Sequence, residues 1–463
     1  MPVSPARKAA YDVLGRVDSG RDFAVDLLHT PAISALKDLD RRLATEIVMG
    51  VLRWRGELDF QIERLARRKL ASLDPEVLAI LRMGFFQIRF LERVPKFAIV
   101  DDAVEITKTT GKPSASGLVN AVLRKCSPAD SNLIAVRWED LTGEGKQAIQ
   151  RTLPDWLFKR WSARTWPGLA GEARLTGSDA ALRMAWASTQ VPPTTLRVVG
   201  LTLSREAVAA ELERDGVAVL PDDFARFALR VKSGSVQTSR AFREGRVVIQ
   251  DAASQLVPEL VAPQAGQCVL DLCSAPGMKA GLLAQLLERG SLVVCDQSAP
   301  RLATLRKLLP SQMPDSVRLN PVQLDASREL PFGVLFDRIL LDAPCSGTGT
   351  LARNPEIRWQ LEPQDLTRFA ERQRKMLRNA LLALAPVGRL VYSTCSLEPE
   401  ENEQVVKSVL SVPPGFRKLT STELTREFPA LARCFDADGY FRTNPALHPM
   451  DGFFAAVLVR KEP

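Results

Sequence analysis

From Val247 onward the chain alternates short apolar runs with stretches of helical period, and this alternation limits its fold more than any other feature. Cys268-Val-Leu-Asp271, Ser291-Leu-Val-Val-Cys295, Val317-Arg-Leu319, Arg338-Ile-Leu-Leu341 and Arg389-Leu-Val-Tyr392 read as buried strands, with a late strand over 453–460. Helices are expected between them at 280–289, 301–309 and 364–384. Strands and helices in this order close as a doubly wound, mostly parallel sheet. Ligands bind outside the carboxyl ends of such strands, so the residues just after each run are the candidates for function.

Two of those positions carry cysteines in matched settings, Asp342-Ala-Pro-Cys345-Ser-Gly-Thr-Gly349 and Tyr392-Ser-Thr-Cys395-Ser396. Two thiols delivered to one crevice suggest paired cysteine chemistry. A thiolate adding to carbon 6 of a pyrimidine creates an enamine whose carbon 5 can attack a sulfonium methyl group. The carbon-5 proton must then leave and the thiol be expelled, so one cysteine suits the nucleophile and the other the base. Asp342 is placed to hold the pyrimidine edge and support charge at N3. A free thiol has a pKa of about 8.5, so something must favour the thiolate; Lys279 or backbone donors are candidates. Cys268 and Cys295, inside strands, and Cys126 and Cys434 read as small buried hydrophobes.

The cofactor position follows the first strand of the sheet. Asp271-Leu-Cys273-Ser274-Ala275-Pro276-Gly277-Met278-Lys279 opens a helix without a G-x-G-x-x-G pattern, so a dinucleotide is poorly supported. Asp296 ends the next strand, where an acid can reach ribose hydroxyls, and Asp325 follows a third strand, within reach of an adenine amino group. Acids at successive strand ends beside a glycine turn suit a nucleoside-bearing cofactor, and S-adenosylmethionine fits better than a nucleotide.

Upstream, residues to about 130 keep helical period. Leu43, Ile47, Val51, Leu58, Ile62 and Leu65 form one stripe, and Asp74-Pro75 opens a second helix with Leu78, Leu81, Phe85 and Ile88 as its core face. Further helices follow Pro95 and span 117–125. Arg53, Arg55, Arg67, Arg68 and Lys69 crowd one stretch of this all-α region, beside Trp54, and read as a phosphate-contacting face. Between 145 and 245 a β-α-β-β pattern suits a ferredoxin-like or RRM-like module. Domains are therefore expected at 1–135, 145–245 and 246–463.

The net charge of +8 over 463 residues favours an anionic partner, with nucleic acid the commonest. Seven cysteines without C-x-x-C spacing, and two histidines far apart at 29 and 448, argue against a metal site or a disulfide framework. No apolar stretch approaches the roughly 20 residues that span a bilayer. The N-terminal segment lacks the apolar stretch of a signal peptide, so a cytoplasmic protein without a membrane partner is expected.

The three motifs at 271–277, 342–349 and 392–396 resemble those of the RNA cytosine-5 methyltransferases of the RsmB/NSUN group. Pro355-Glu-Ile-Arg-Trp359, Glu400-Glu-Asn-Glu403 and Asp451-Gly-Phe-Phe454 match further blocks of that family. The helical N-terminal region resembles the NusB-type domain of its bacterial RsmB (Sun/Fmu) members, which methylate 16S ribosomal RNA, so the resemblance covers essentially the whole chain. It implies a Rossmann-like methyltransferase domain behind an all-α NusB-like domain and a small α+β module. It also implies S-adenosylmethionine as cofactor and 16S rRNA, free or in an assembling subunit, as partner. A monomer is expected.

By the resemblance, Cys395 forms the bond to carbon 6 and Cys345 assists proton removal and release. Cys273 through Lys279, Asp296, Asp325 and Asp342 would hold the cofactor, and Arg353 and Arg358 would contact RNA. Three positions depart from the family pattern: Met278 replaces a second glycine, Ala352 a basic residue, and Val199 the asparagine of an Arg-Val-Asn run. If position 278 required φ > 0, a side chain there would cost about 1 kcal/mol or more. Alternatives from other classes are an RNA-binding assembly or antitermination factor with a vestigial methyltransferase domain, and a tRNA cytosine-C5 methyltransferase.

Overall fold

A computed structural model describes residues 3–20, 22–128, 137–166, 175–200, 203–411 and 415–461. The chain divides into two compact units, one made of Met1–Trp166, Leu175–Val191 and Leu351–Leu361, the other of the remainder.

The first unit is helical. Its longest helix, Asp38–Ala66, buries the expected stripe at Ile47, Val51, Leu58 and Ile62, with Leu43 and Leu65 half-buried at its margins. Pro5–Asp18, Pro75–Phe90 and Ser116–Lys125 pack with it, and Lys96–Thr109 packs on the last two of these. Asp74 precedes Pro75–Phe90 as expected, yet its side chain makes no capping hydrogen bond; it lies 3.3 Å from Lys112 instead. Helices Gly143–Arg151, Asp155–Ser162 and Gly177–Thr189 also belong to this unit, although the sequence places them with the small module.

Two glycines inside Asp38–Ala66 show why the long helix tolerates poor helix formers. A Cβ on Gly50 would lie 1.9 Å from Phe86 Cζ, and one on Gly56 would lie 1.9 Å from the Arg151 carbonyl oxygen. The absent side chains let neighbouring elements close onto the helix.

The second unit contains two sheets. Strands β1 (Thr195–Val198), β2 (Ala218–Pro221), β3 (Ala228–Ser233) and β4 (Val247–Ile249) form an antiparallel sheet in the order β2-β3-β1-β4. With helix Arg205–Arg214 after β1, capped by the Ser204 hydroxyl, this is the ferredoxin-like strand order. Its fourth strand lies beyond residue 245, where Val247 pairs with Val198.

The large sheet uses β5 (Cys268–Asp271), β6 (Gly290–Asp296), β7 (Val317–Gln323), β8 (Phe336–Asp342), β9 (Leu384–Thr394), β10 (Phe416–Lys418) and β11 (Phe454–Arg460). Their order is β10-β11-β9-β8-β5-β6-β7. β5 to β9 are parallel, and β11 runs antiparallel to β9. Ala253, Leu256, Leu283 and Leu287 cover one face, and Ala370, Leu377, Val405 and Val409 the other, which explains why the parallel strands are continuous apolar runs. The chain order reverses between β5 and β8, so a crevice must open at their carboxyl ends.

Gly56→Ala should destabilise the protein by roughly 2 kcal/mol, although alanine gains about 1 kcal/mol in helix propensity, because the Arg151 main chain must move. A urea midpoint no lower than wild type would contradict this packing.

Candidate active site

The crevice at the reversal point holds a cavity of about 230 Å³. Cys273, Ala275, Asp296, Asp325, Asp342, Cys345 and Cys395 all line it, so one cleft collects most of the expected site. Ser274 and Gly277 are buried in the same loop, Pro276 is exposed, and Met278 and Lys279 are half-buried at the start of helix Met278–Leu287.

The loop after β5 is held by main-chain bonds. Leu272 N donates to Leu340 O at 3.0 Å and Ser274 N to Cys295 O at 2.8 Å, while Arg301 Nη2 donates to Ala275 O at 2.6 Å. Gly277 takes φ +108°, and a Cβ there would stand 3.2 Å from Leu305 Cγ. The left-handed residue is therefore Gly277, and Met278 is the first residue of the helix without positive φ. The strain considered for Met278 does not arise.

Asp296, at the end of β6, is buried and accepts from Ser298 N at 2.8 Å. Asp325 accepts from Ser327 N at 3.0 Å and Ser327 Oγ at 2.8 Å, with Arg372 3.6 Å away. Burial works against its charge, but these donors and Arg372 outweigh it and hold the carboxyl below its usual range.

At the other end of the cleft, Asp342 closes β8 and accepts from Lys279 Nζ at 2.6 Å and from Ser393 Oγ at 2.7 Å. Burial alone would lower the pKa of Lys279, but the Asp342 charge and hydrogen bond outweigh burial and raise it. Cys345 Sγ and Cys395 Sγ stand 3.4 Å apart. The contact with Cys395, and then burial, push the Cys345 thiol well up. Cys345 therefore keeps its proton and can donate it toward the Cys395 sulfur. Cys126, Cys295 and Cys434 are buried, as expected, whereas Cys268 is only half-buried.

Several partners in the site were given no role by the sequence, although Ser393 and Glu401 lie in quoted motifs. Ser393 fixes Asp342, Gln373 Nε2 donates to Pro344 O at 2.9 Å, and Glu401 accepts from Ser346 N at 2.8 Å. Asp271 is 1% exposed, and neither carboxylate oxygen has a hydrogen-bond partner among the described residues. Burial pushes it up to about 7, with the nearby Ser274 hydroxyl pulling it back, Asp342 adding and Lys279 opposing.

The expected RNA-contacting residues separate. Arg67, Arg68 and Lys69 are exposed at the end of helix Asp38–Ala66 and, with Arg64 and the 43%-exposed Phe60, line one surface recess. Arg55 is partly buried and pairs with Asp18 at 2.8 Å, and Arg353 is half-buried. Arg53 and Arg358 require correction. Arg53 is buried and donates to Ala352 O at 2.8 Å. Arg358 is 0% exposed and donates to the carbonyls of Thr152, Ser188 and Leu351 at 3.2, 3.0 and 2.9 Å. Both guanidiniums satisfy buried main chain, which a basic run in sequence cannot distinguish from a surface.

A reversed-order sheet with acids at successive strand ends, a helix-opening glycine loop and one cleft defines a Rossmann-like methyltransferase domain. The profile of the 16S rRNA methyltransferase RsmB/F family matches residues 258–459, and that of the NusB family matches residues 4–128. Probable ribosomal RNA small subunit methyltransferase B of Synechocystis sp. is 32% identical over 98% of this chain and 99% of its own. Ribosomal RNA small subunit methyltransferase B of Pseudomonas putida is 32% identical over 98% of both chains. Among solved structures, PH0851 shares the fold with a TM-score of 0.75 at 24% identity over 99% of both chains. A methyltransferase homolog from Pyrococcus horikoshii has a TM-score of 0.56 at 27% identity, covering 70% of this chain and all of its own.

The chain belongs to the ribosomal RNA small subunit methyltransferase B family. It is a ribosomal RNA methyltransferase that uses S-adenosylmethionine and carries a NusB-type RNA-binding domain, and no helix among its described residues is long and apolar enough to cross a membrane.

Two outcomes follow. The native state keeps a proton on Asp271 that the unfolded chain releases above about pH 4, so this residue makes stability fall as pH rises from about 4 to about 7. Asp271→Asn should flatten that part of the stability profile; an unchanged slope in urea titrations would count against the buried acid. Arg358→Leu should cost about 3 kcal/mol by stranding buried carbonyls, while the folded variant keeps wild-type affinity for RNA in filter binding. Weakened RNA binding without lost stability would restore it as an RNA contact.

Proposed function

We propose that this enzyme methylates carbon 5 of a cytosine in 16S rRNA through a covalent adduct with Cys395. The observation that carries the reading is the 3.4 Å approach of two thiols inside the cleft that Asp296 and Asp325 also line. Methylation of an exocyclic amine or a ribose hydroxyl needs no nucleophilic thiol, whereas an unreactive pyrimidine carbon needs one to form the adduct and a base to undo it. The description of the matching family as a 16S rRNA methyltransferase supports the choice of RNA.

S-adenosylmethionine supplies an electrophilic methyl group. Asp296 would take the ribose hydroxyls and Asp325 the adenine edge, and the turn at Gly277 lets the main chain approach closely. The orphaned oxygens of Asp271, on the strand leading into this loop, fit a site whose polar groups expect a cationic ligand. Asp342 accepts from the cytosine edge, and Lys279, tied to it, places positive charge where the ring becomes electron-rich.

In the reaction, Cys395 Sγ would add to carbon 6 as the thiolate and carbon 5 would accept the methyl group; Cys345, having passed its own proton to water, would then take the carbon-5 proton as the carbon–sulfur bond breaks to return the Cys395 thiolate. Cys345 enters with its proton on, hydrogen-bonded toward Cys395, which favours attack by Cys395. The recess at Phe60, Arg64, Arg67, Arg68 and Lys69 would hold the RNA backbone, Phe60 offering a stacking face. Such a reaction belongs in the cytoplasm, where ribosomes assemble.

With labelled cofactor and 16S RNA, Cys395→Ala should give no product, and Cys345→Ala should accumulate a protein–RNA adduct that survives denaturing electrophoresis. Methylation by Cys395→Ala, or normal turnover by Cys345→Ala, would reverse the assignment.

A further inference from the structure

Both catalytic loops converge on one buried acid outside the cleft lining. Glu401 is 0% exposed and follows β9 in the Glu400-Glu-Asn-Glu403 block. Its Oε1 accepts from Ser346 N at 2.8 Å and from Gln373 Nε2 at 3.0 Å. Its Oε2 accepts from the hydroxyls of Ser346 and Ser396. Ser346 directly follows Cys345, and Ser396 directly follows Cys395. Gln373 also donates to Pro344 O, so the residue before Cys345 is held by the same cluster.

The neighbouring Asn402 completes the second loop, donating to Ser396 O at 2.8 Å and accepting from Thr394 Oγ1 at 2.5 Å. Tyr392 OH donates to the Glu401 carbonyl, again at 2.5 Å. A buried carboxylate is costly unless its lone pairs are met, and here four donors meet them. Those donors come from both cysteine loops and from helix Pro363–Leu382, which makes the carboxylate the point where the two loops are joined.

We propose that Glu401 is the positioning residue of the site, holding Cys345 and Cys395 in register and setting which of the two thiols is free to react. The proposal rests on the reading that both thiols serve one reaction. The groups facing Cys345 are Cys395, Glu401 and Asp342, with Lys279 across Asp342 on the Cys395 side. A carboxylate beside the Cys345 loop disfavours a second negative charge there, whereas the ammonium of Lys279 lies toward Cys395. The two similar thiols are thereby given unlike electrostatic surroundings.

Glu401→Gln separates the charge from the tie, because the amide can still accept from Ser346 N and can donate to the two serine oxygens. Glu401→Ala removes both. In the intact protein, without RNA or cofactor, alkylation by iodoacetamide mapped by mass spectrometry should show the Cys345 midpoint at lower pH in Glu401→Gln. Glu401→Ala, or Glu401→Gln if the alanine variant does not fold, should lower kcat by about tenfold or more while the KM for cofactor stays near wild type, as misplacement of reacting groups does. An unchanged alkylation profile together with wild-type kcat would overturn the proposal, and a rise in cofactor KM at constant kcat would reassign Glu401 to the cofactor site. Alkylation is read on the free enzyme, so failure of the covalent-adduct reading would show in the Cys395→Ala assay and leave this result standing.

Discussion

The site depends on the parallel register between β8 and β9. Asp342 pairs with Ser393, so Cys345 lies three residues beyond the paired position on one strand and Cys395 two residues beyond it on the other. Five consecutive parallel pairings, Arg338 with Arg389 through Asp342 with Ser393, set this register, and it brings the sulfurs to 3.4 Å. A slip of one residue would turn every side chain of a strand to the opposite face, separating Asp342 from Ser393 and burying apolar residues wrongly. The apolar core on both sheet faces thus enforces the spacing of the two sulfurs.

Around that register several buried charges are met by main-chain or side-chain partners. Arg197 is fully buried without a carboxylate, its guanidinium shared among Gln250, Gln285 and Gln312, and burial lowers its pKa to about 10. Arg197 joins β1 to Gln285 on the helix that the cofactor loop opens, so the small module is bonded to the cofactor site within one compact unit. Arg358 does the same work in the helical unit, linking three separate carbonyls. Asp271 is a buried acid neither of whose oxygens has a hydrogen-bond partner among the described residues, and it ends the strand that leads into the cleft. Polar groups that fold alone leaves unmet mark functional ground.

Much of the architecture was legible because it rests on period. Six strands of the large sheet and the three helices expected between them overlap their observed positions, whereas β10 and the helices Ala252–Val261 and Glu403–Leu410 were not read from the sequence. Motif position sufficed for the cleft, since a residue after a parallel strand has only one end of the sheet to occupy. The RNA face was less legible, because Arg53 and Arg358 look like surface residues until their carbonyl partners are seen. Glu401 and Asp271 lie in quoted motifs, but their burial and their partners depend on distant residues that a motif does not show.

Sequence alone determined that two thiols and three acids stand at strand ends of a doubly wound sheet, because alternation, turn residues and motif spacing are local properties. Only the tertiary structure decided that the thiols touch and that a single buried carboxylate ties both loops. It also decided that Met278 is spared strain by Gly277, and that two of the expected RNA contacts are internal. Those outcomes depend on which distant residues share a space, and neither composition nor period encodes distance.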